Sequence, residues 1–155
     1  MKLKKIDSLL AEVPAFAGLD PAKLTLMAGC GQNVHFEAGS QLFREGDPAD
    51  TFYVIRHGAV GLDIHVPARE PVTIETLHGG DLLGWSWLFP PYKWSFDGRA
   101  VEDTSAISLD GACLRGKCDD DHELGYELMK RFAQVIVERL QATRLRLLDV
   151  YGRSG

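Results

Sequence analysis

No stretch of this 155-residue sequence is long and apolar enough to cross a membrane. The basic start, Met1-Lys2-Leu3-Lys4-Lys5, runs into Ile6-Asp7-Ser8-Leu9-Leu10-Ala11-Glu12, where charges interrupt any apolar run. That pattern excludes a secretory signal, and a cytoplasmic location is the default expectation. Basic clusters are also missing. Seventeen Lys and Arg stand against 22 Asp and Glu, for a net charge of −5, so the electrostatic footprint of a nucleic-acid binder is absent. Cysteine is scarce: Cys30, Cys113 and Cys118 cannot all pair with one another, and free structural thiols in a reducing compartment are expected. Cys113, Cys118 and His122 lack both the tight spacing and the fourth ligand of a metal site, so no metal is expected. There is no nucleophile elbow, no phosphate-loop lysine motif and no zinc-protease histidine pair. His35, His57, His65, His78 and His122 are scattered without a matching carboxylate pattern, so no catalytic residue is assigned and an enzyme is not expected.

What is present is ordinary globular material. Apolar residues make up 45 %, enough for a real core, and the length suits one domain rather than two. The sequence divides into a helical zone at 1–31, a zone of short strands at 32–110 and a second helical zone at 111–151, forming one domain over 1–151 with a frayed tail at 152–155. In the first zone Leu19-Asp20-Pro21 marks a helix start. Asp20 can cap, Pro21 fits the first helical position, and Leu19 can staple onto Leu24. In the middle zone, apolar pieces such as Phe52-Tyr53-Val54-Ile55 and Val72-Thr73-Ile74 are broken repeatedly by glycine, which predicts a barrel or roll. Pro67-Ala68-Arg69-Glu70-Pro71 predicts an exposed hairpin loop, since neither proline suits a central strand.

In the last zone Asp120 and Glu123 have the spacing of a capping box. Beyond them Met129, Phe132, Ile136, Leu140, Thr143, Leu147 and Val150 recur at steps of three and four. They make a stripe on a helix of some 30 residues, about 45 Å long. A helix of that length outruns a domain of this size, so its stripe calls for a partner. A second copy is the economical choice, which predicts a homodimer through residues 121–151.

Several motifs together carry a family resemblance. Glu37-Ala38-Gly39, Leu42-Phe43-Arg44-Glu45-Gly46-Asp47-Pro48-Ala49-Asp50, Phe52-Tyr53-Val54-Ile55 and Gly58 resemble the first half of cyclic-nucleotide-binding domains. Gly80-Asp81-Leu82-Leu83-Gly84 looks like the start of that family's phosphate-binding cassette, and Arg99-Ala100-Val101-Glu102-Asp103-Thr104 like the strand that leaves it. Glu138-Arg139-Leu140-Gln141-Ala142-Thr143 is similar to the dimer helix of the catabolite activator protein branch. The resemblance implies a mainly β, jelly-roll-like β-roll with flanking helices and a regulatory role. In that branch a DNA-reading helix-turn-helix normally follows the dimer helix. The sequence ends at Gly155, so no direct sequence-specific DNA binding is expected.

The cassette departs from the family. There an arginine neutralises the cyclic phosphate, backbone N–H groups cradle it, and a glutamate accepts from the ribose hydroxyl. Here the glutamate position falls on Trp85 and the arginine position on Trp94, with Lys93 beside it and Ser95 matching the usual serine or threonine. All three tryptophans lie in the segment Trp-Ser-Trp-Leu-Phe-Pro-Pro-Tyr-Lys-Trp-Ser-Phe at 85–96. Three readings stay open: the aromatics plug the pocket, they bind another apolar or aromatic ligand, or a cyclic nucleotide is retained through Lys93, Ser95, backbone amides and stacking. The candidate site is Gly84, Trp85, Ser86, Lys93, Trp94, Ser95 and Thr143, the last at the family's purine contact across the dimer. The expected function is a regulatory or sensor module acting through a partner protein, with a cassette that does not bind cyclic AMP or cyclic GMP in the usual way; the alternatives are a sensor of a different, apolar or aromatic small ligand and a ligand-free dimeric interaction protein.

Overall fold

The computed structural model describes residues 5–153, and their side chains through Asp149. Two four-stranded antiparallel sheets form a roll, with helices before and after it. The order is α1 (Ile6–Ala11), a 3-10 turn (Pro14–Phe16), α2 (Pro21–Ala28), β1 (Gly31–Phe36), β2 (Gln41–Phe43), β3 (Thr51–His57), β4 (Ala59–Ile64), β5 (Val72–His78), β6 (Leu82–Leu83), a second 3-10 turn (Ser86–Leu88), β7 (Asp97–Ala100), β8 (Thr104–Asp110), α3 (Gly111–Asp120) and α4 (His122–Arg153). One sheet runs β1-β8-β3-β6 and the other β2-β7-β4-β5. Pro67–Pro71 falls in the loop between β4 and β5.

Side-chain alternation explains the layering. Along β3, Phe52 and Val54 point into a core shared with the helices, while Tyr53 and Ile55 point into the roll. Leu82 and Leu83 of β6 split in the same way. The roll therefore has an interior of its own, built from Phe43, Ile55, Val60, Leu62, Leu77, Leu83 and Trp94. The helix-side core gathers Leu10, Phe16, Met27, Leu114, Leu124, Leu128 and Phe132.

The helix ends follow local chemistry. Asp20 accepts from the Ala22 amide at the start of α2, with Pro21 in the first turn. Asp110 caps α3 by accepting from Cys113. At α4 the cap is Asp121, whose carboxylate accepts from the Leu124 amide, and not Asp120, which ends α3. The capping-box expectation is one residue out of register because α3 and α4 abut with a single residue between them. Glu123 and Asp121 instead flank the Lys23 ammonium at 3.8 and 3.9 Å.

Two further expectations are corrected. Phe132 does not belong to the outward stripe of α4. It is buried edge-on against Phe52 and Trp87, at ring-centroid distances of 5.1 and 5.4 Å. With Ala133 in its place, Met129, Ala133, Ile136, Leu140, Thr143 and Leu147 alternate steps of four and three, a strict heptad seam. Met129, Leu140 and Leu147 on this seam are 44, 48 and 53 % exposed. The Val150 side chain lies outside the described residues. Helix α4 continues through Arg153, past the expected start of a frayed tail at 152, and residues 154–155 lie outside the described residues.

The cysteines are not all free. Cys30, between α2 and β1, is bonded to Cys113 near the start of α3. The sequence suggests no pairing because 83 positions separate the two residues and only the closed roll brings them together. The bridge removes the free-thiol argument for a reducing compartment. Cys118 stays free, its thiol pushed up in pKa by burial and by Asp119 and Asp121, which makes it a poor nucleophile. Unreduced, denatured protein is expected to titrate one thiol, and reduced protein three. Reduction should lower the unfolding free energy by about 2–4 kcal/mol. Thiol titration beside urea melts checks this, and three thiols without reductant would contradict the bridge.

Candidate functional site

The cassette leaves β6 through Gly84, which sits at φ +101°. A residue with a Cβ resists that conformation, and here it would also collide: an added Cβ would lie 2.6 Å from Trp94 Cη2 and 2.8 Å from Cζ3. The chain then makes the 3-10 turn at Ser86–Leu88 and passes Pro90–Pro91 to Tyr92. On its way back it is pinned to the loop after β2. The amides of Gly46 and Ala49 donate to the carbonyls of Trp94 and Tyr92, and the Trp94 amide donates to Asp47, while Lys93 bridges to Pro48. That loop is itself fixed from β7, where the Asp97 carboxylate accepts from the Glu45 amide at 2.7 Å and contacts His65 Nε2 at 2.6 Å. Burial alone would raise the Asp97 pKa. The Glu45 amide, His65 and the Arg44 charge outweigh it and hold the carboxyl below its ordinary value.

The three tryptophans of one short segment go to three places. Trp87 turns outward from the roll into the helix-side core, stacked on Phe52 at 4.9 Å. Its carbonyl accepts from Arg115, whose guanidinium also lies over the Tyr92 ring. Trp94 turns inward. Its ring is 5 % exposed, stacked 3.5 Å from Phe43 with Phe96 alongside, and fills the roll interior next to Gly84. Trp85 stays half-buried at the surface of the roll, with the Arg139 guanidinium of α4 5.2 Å from its ring centre. Arg139 also donates to the Leu82 carbonyl.

The expected site residues are therefore only partly brought together. Gly84 and Trp94 touch, and Trp85 and Ser86 continue directly from them. Lys93 and Ser95 are exposed, on either side of the buried indole. Thr143 is exposed on α4 and its hydroxyl donates to the Arg139 carbonyl one turn back. Sequence reasoning missed Arg139, four residues before Thr143 and inside a motif already singled out. It also missed Phe43, which gives Trp94 a stacking surface, and the pairing of His65 with Asp97. The arginine's place in that motif was a signal, but its ring and hydrogen-bond partners, an indole and a carbonyl, carry no complementary charge that sequence could pair with it.

Gly84→Ala should cost about 1–2 kcal/mol for the backbone conformation and a further roughly 1–3 kcal/mol for collision with the indole. In a Trp94→Leu background the collision part should vanish, leaving about 1–2 kcal/mol. Urea melts followed by circular dichroism measure both costs. An equal cost in the two backgrounds would mean that the ring does not rest on Gly84.

Comparison with known proteins places this geometry. Residues 33–121 match the cyclic nucleotide-binding domain family. The CRP-like cAMP-activated global transcriptional regulator of Mycobacterium tuberculosis is 26 % identical over 145 residues, covering 94 % of this chain and 63 % of that protein. The chain thus spans about five-eighths of the length of that relative. The Thermus thermophilus catabolite activator protein superimposes with a TM-score of 0.69 at 26 % identity, over 90 % of this chain and 63 % of that one. The N-terminal domain of a transcriptional regulator from Streptomyces coelicolor A3(2) does so with a TM-score of 0.70 at 25 % identity, over 86 % and 94 %. A match across more than half the chain, on the roll and cassette just described, makes this protein a member of the cyclic nucleotide-binding domain family.

Proposed function

We propose that the chain is a dimeric regulatory module whose nucleotide cassette is filled by its own side chain, and that it acts through a partner protein rather than by catalysis. The observation that carries the reading is the Trp94 indole lying against Gly84, on the position that the family resemblance gives to the phosphate-binding arginine. A cyclic phosphate placed there would displace a stacked, buried ring and meet no guanidinium. The glutamate position is likewise an indole, Trp85, and Arg139 stacks on it. Lys93 does not substitute, since it is exposed, carries a point charge and lacks the bidentate fork. With a net charge of −5 and no basic cluster, this chain is expected to hold no DNA sequence specifically. The exposed Phe89, at the rim of the cassette, offers a partner an apolar anchor.

Each lost charge-assisted hydrogen bond costs about 1.5–3 kcal/mol. Two of them weaken binding by roughly a hundredfold to ten-thousandfold. Calorimetry with cyclic AMP and cyclic GMP is therefore expected to show no binding up to about a millimolar. Micromolar binding of either would overturn the reading.

The dimer is proposed from the heptad seam on the outward face of α4. Its inward face, Leu124, Leu128 and Phe132, is already covered by the roll. A second copy of the seam buries the exposed Met129, Leu140 and Leu147. Sedimentation should give a dimer at about 10 µM and a folded monomer for Leu140→Glu. A wild-type monomer at that concentration would contradict the seam.

A further inference from the structure

The half-cystine at 113 stands where α3 braces the cassette from outside. Cys113 is in the first turn of α3, with its amide held by the Asp110 cap. That same turn touches the cassette and the loop that pins it. The Gly111 amide donates to the Asp50 carbonyl at 2.6 Å, in the loop whose neighbouring amides hold Tyr92 and Trp94. Gly111 also lies close against Trp87: a Cβ added there would come within 2.8 Å of the Trp87 Cβ. One turn further along the helix, Arg115 donates to the Trp87 carbonyl and lies 4.4 Å over the Tyr92 ring. All of these contacts come from residues within two positions of Cys113.

The bridge anchors this turn to the chain that leaves α2. Cys30 is buried and Cys113 only half-buried, so a small thiol reaches the Cys113 sulfur first. Opening the bond does not detach α3. The Asp110 amide still donates to the Cys30 carbonyl at 2.9 Å, and Lys117 Nζ to the Leu26 carbonyl at 2.7 Å. Leu114 still lies in the helix-side core. The reduced chain is therefore expected to keep its fold. What it loses is the covalent constraint on the one turn that meets Trp87, Tyr92 and the Asp50 loop. A constraint placed there acts on the order of the cassette more than on the strands of the roll.

We propose that the Cys30–Cys113 bond is a thiol-reducible clasp on the cassette, opened by a small-thiol couple of the glutathione class. One thiolate attacks the Cys113 sulfur, forms a mixed disulfide there and expels Cys30, which takes up a proton. A second thiolate attacks the small-molecule sulfur of that mixed disulfide and releases Cys113, which is protonated in turn. The protein gains two electrons and two protons, and the two small thiols leave joined as their disulfide. Opening the clasp frees the first turn of α3, loosens Gly111 and Arg115 from their partners, and lets residues 85–96 open more often. The signal enters through sulfur, so the clasp works whether or not the cassette ever takes a nucleotide.

Native-state hydrogen exchange and tryptophan emission, measured on the wild-type protein across a series of reduced to oxidised glutathione ratios, test the clasp. Thiol titration follows the bond itself. As it opens, amides in 85–96 should exchange faster by about tenfold or more. Those rates should change little in low urea, because a local opening exposes little surface. Emission should shift in step, since all three tryptophans lie in that segment. Cys30→Ser should show the fast exchange with no thiol added, and Cys118→Ser should respond as the wild type does. Arg115→Gln should keep the bond yet lose most of the response. If Cys30→Ser does not fold, the reduced wild type carries the same comparison. The inference fails if the folded protein keeps its bond in fully reduced glutathione, or if the bond opens while exchange in 85–96 stays the same. It fails equally if the faster exchange is only urea-sensitive global unfolding, or if Arg115→Gln responds undiminished.

Discussion

The seating of one indole on one glycine organises this molecule. Gly84 takes a left-handed backbone conformation, and the Trp94 ring occupies the space where any other residue would carry its Cβ. That contact ties β6 to the segment returning into β7, with Phe43 of β2 stacked on the ring. The roll interior thus closes on an aromatic stack of Trp94, from the returning end of the cassette, and Phe43, from a strand distant in sequence. In a cyclic nucleotide-binding domain this interior is where a ligand's charge would have to be met. An indole can neither neutralise a phosphate nor leave without opening a void of its own size.

The long helix presents two apolar faces offset by little more than a quarter of a turn. Leu124, Leu128 and Phe132 fall on the inward face and finish the core around Phe52 and Trp87. The heptad seam beginning at Met129 falls on the outward face. Arg139 lies on the inward side, far enough along the helix to reach the roll at Trp85 and Leu82 instead of the core. The cassette touches both regions of α4. Trp87 packs on Phe132 and Trp85 lies under Arg139, so two rings of one short segment rest on the same helix.

The fold was largely legible because its signals are local or periodic. Asp20-Pro21 starts α2 as its chemistry dictates, the paired prolines fall in the β4–β5 loop, and the strand pieces Phe52–Ile55 and Val72–Ile74 are strands. Errors arose where a decision depended on distant chain. Phe132 has a helical spacing that fits either face of α4, and only the presence of Phe52 and Trp87 assigns it inward. Asp120 and Asp121 are chemically alike, and which one caps depends on where α3 stops. Cys30 and Cys113 meet only after the strands between them have closed. At the site, the glycine and the aromatic cluster were visible, but the divergent paths of Trp85, Trp87 and Trp94 were not, because alternation within a 3-10 turn and loop follows no fixed period. Arg139 escaped notice because a cation on an aromatic ring leaves no complementary charge in the sequence.

The bond between Cys30 and Cys113 joins the residue that enters the roll to one just past its exit. The strands therefore form a covalently closed ring, and the helices on either side meet at its clasp. A pull applied to the two ends of the chain would run from α2 through the sulfurs into α3 and bypass every strand. The β-roll is mechanically shielded while the bond is intact. Cutting the bond would return the 82 residues inside the ring to the load path.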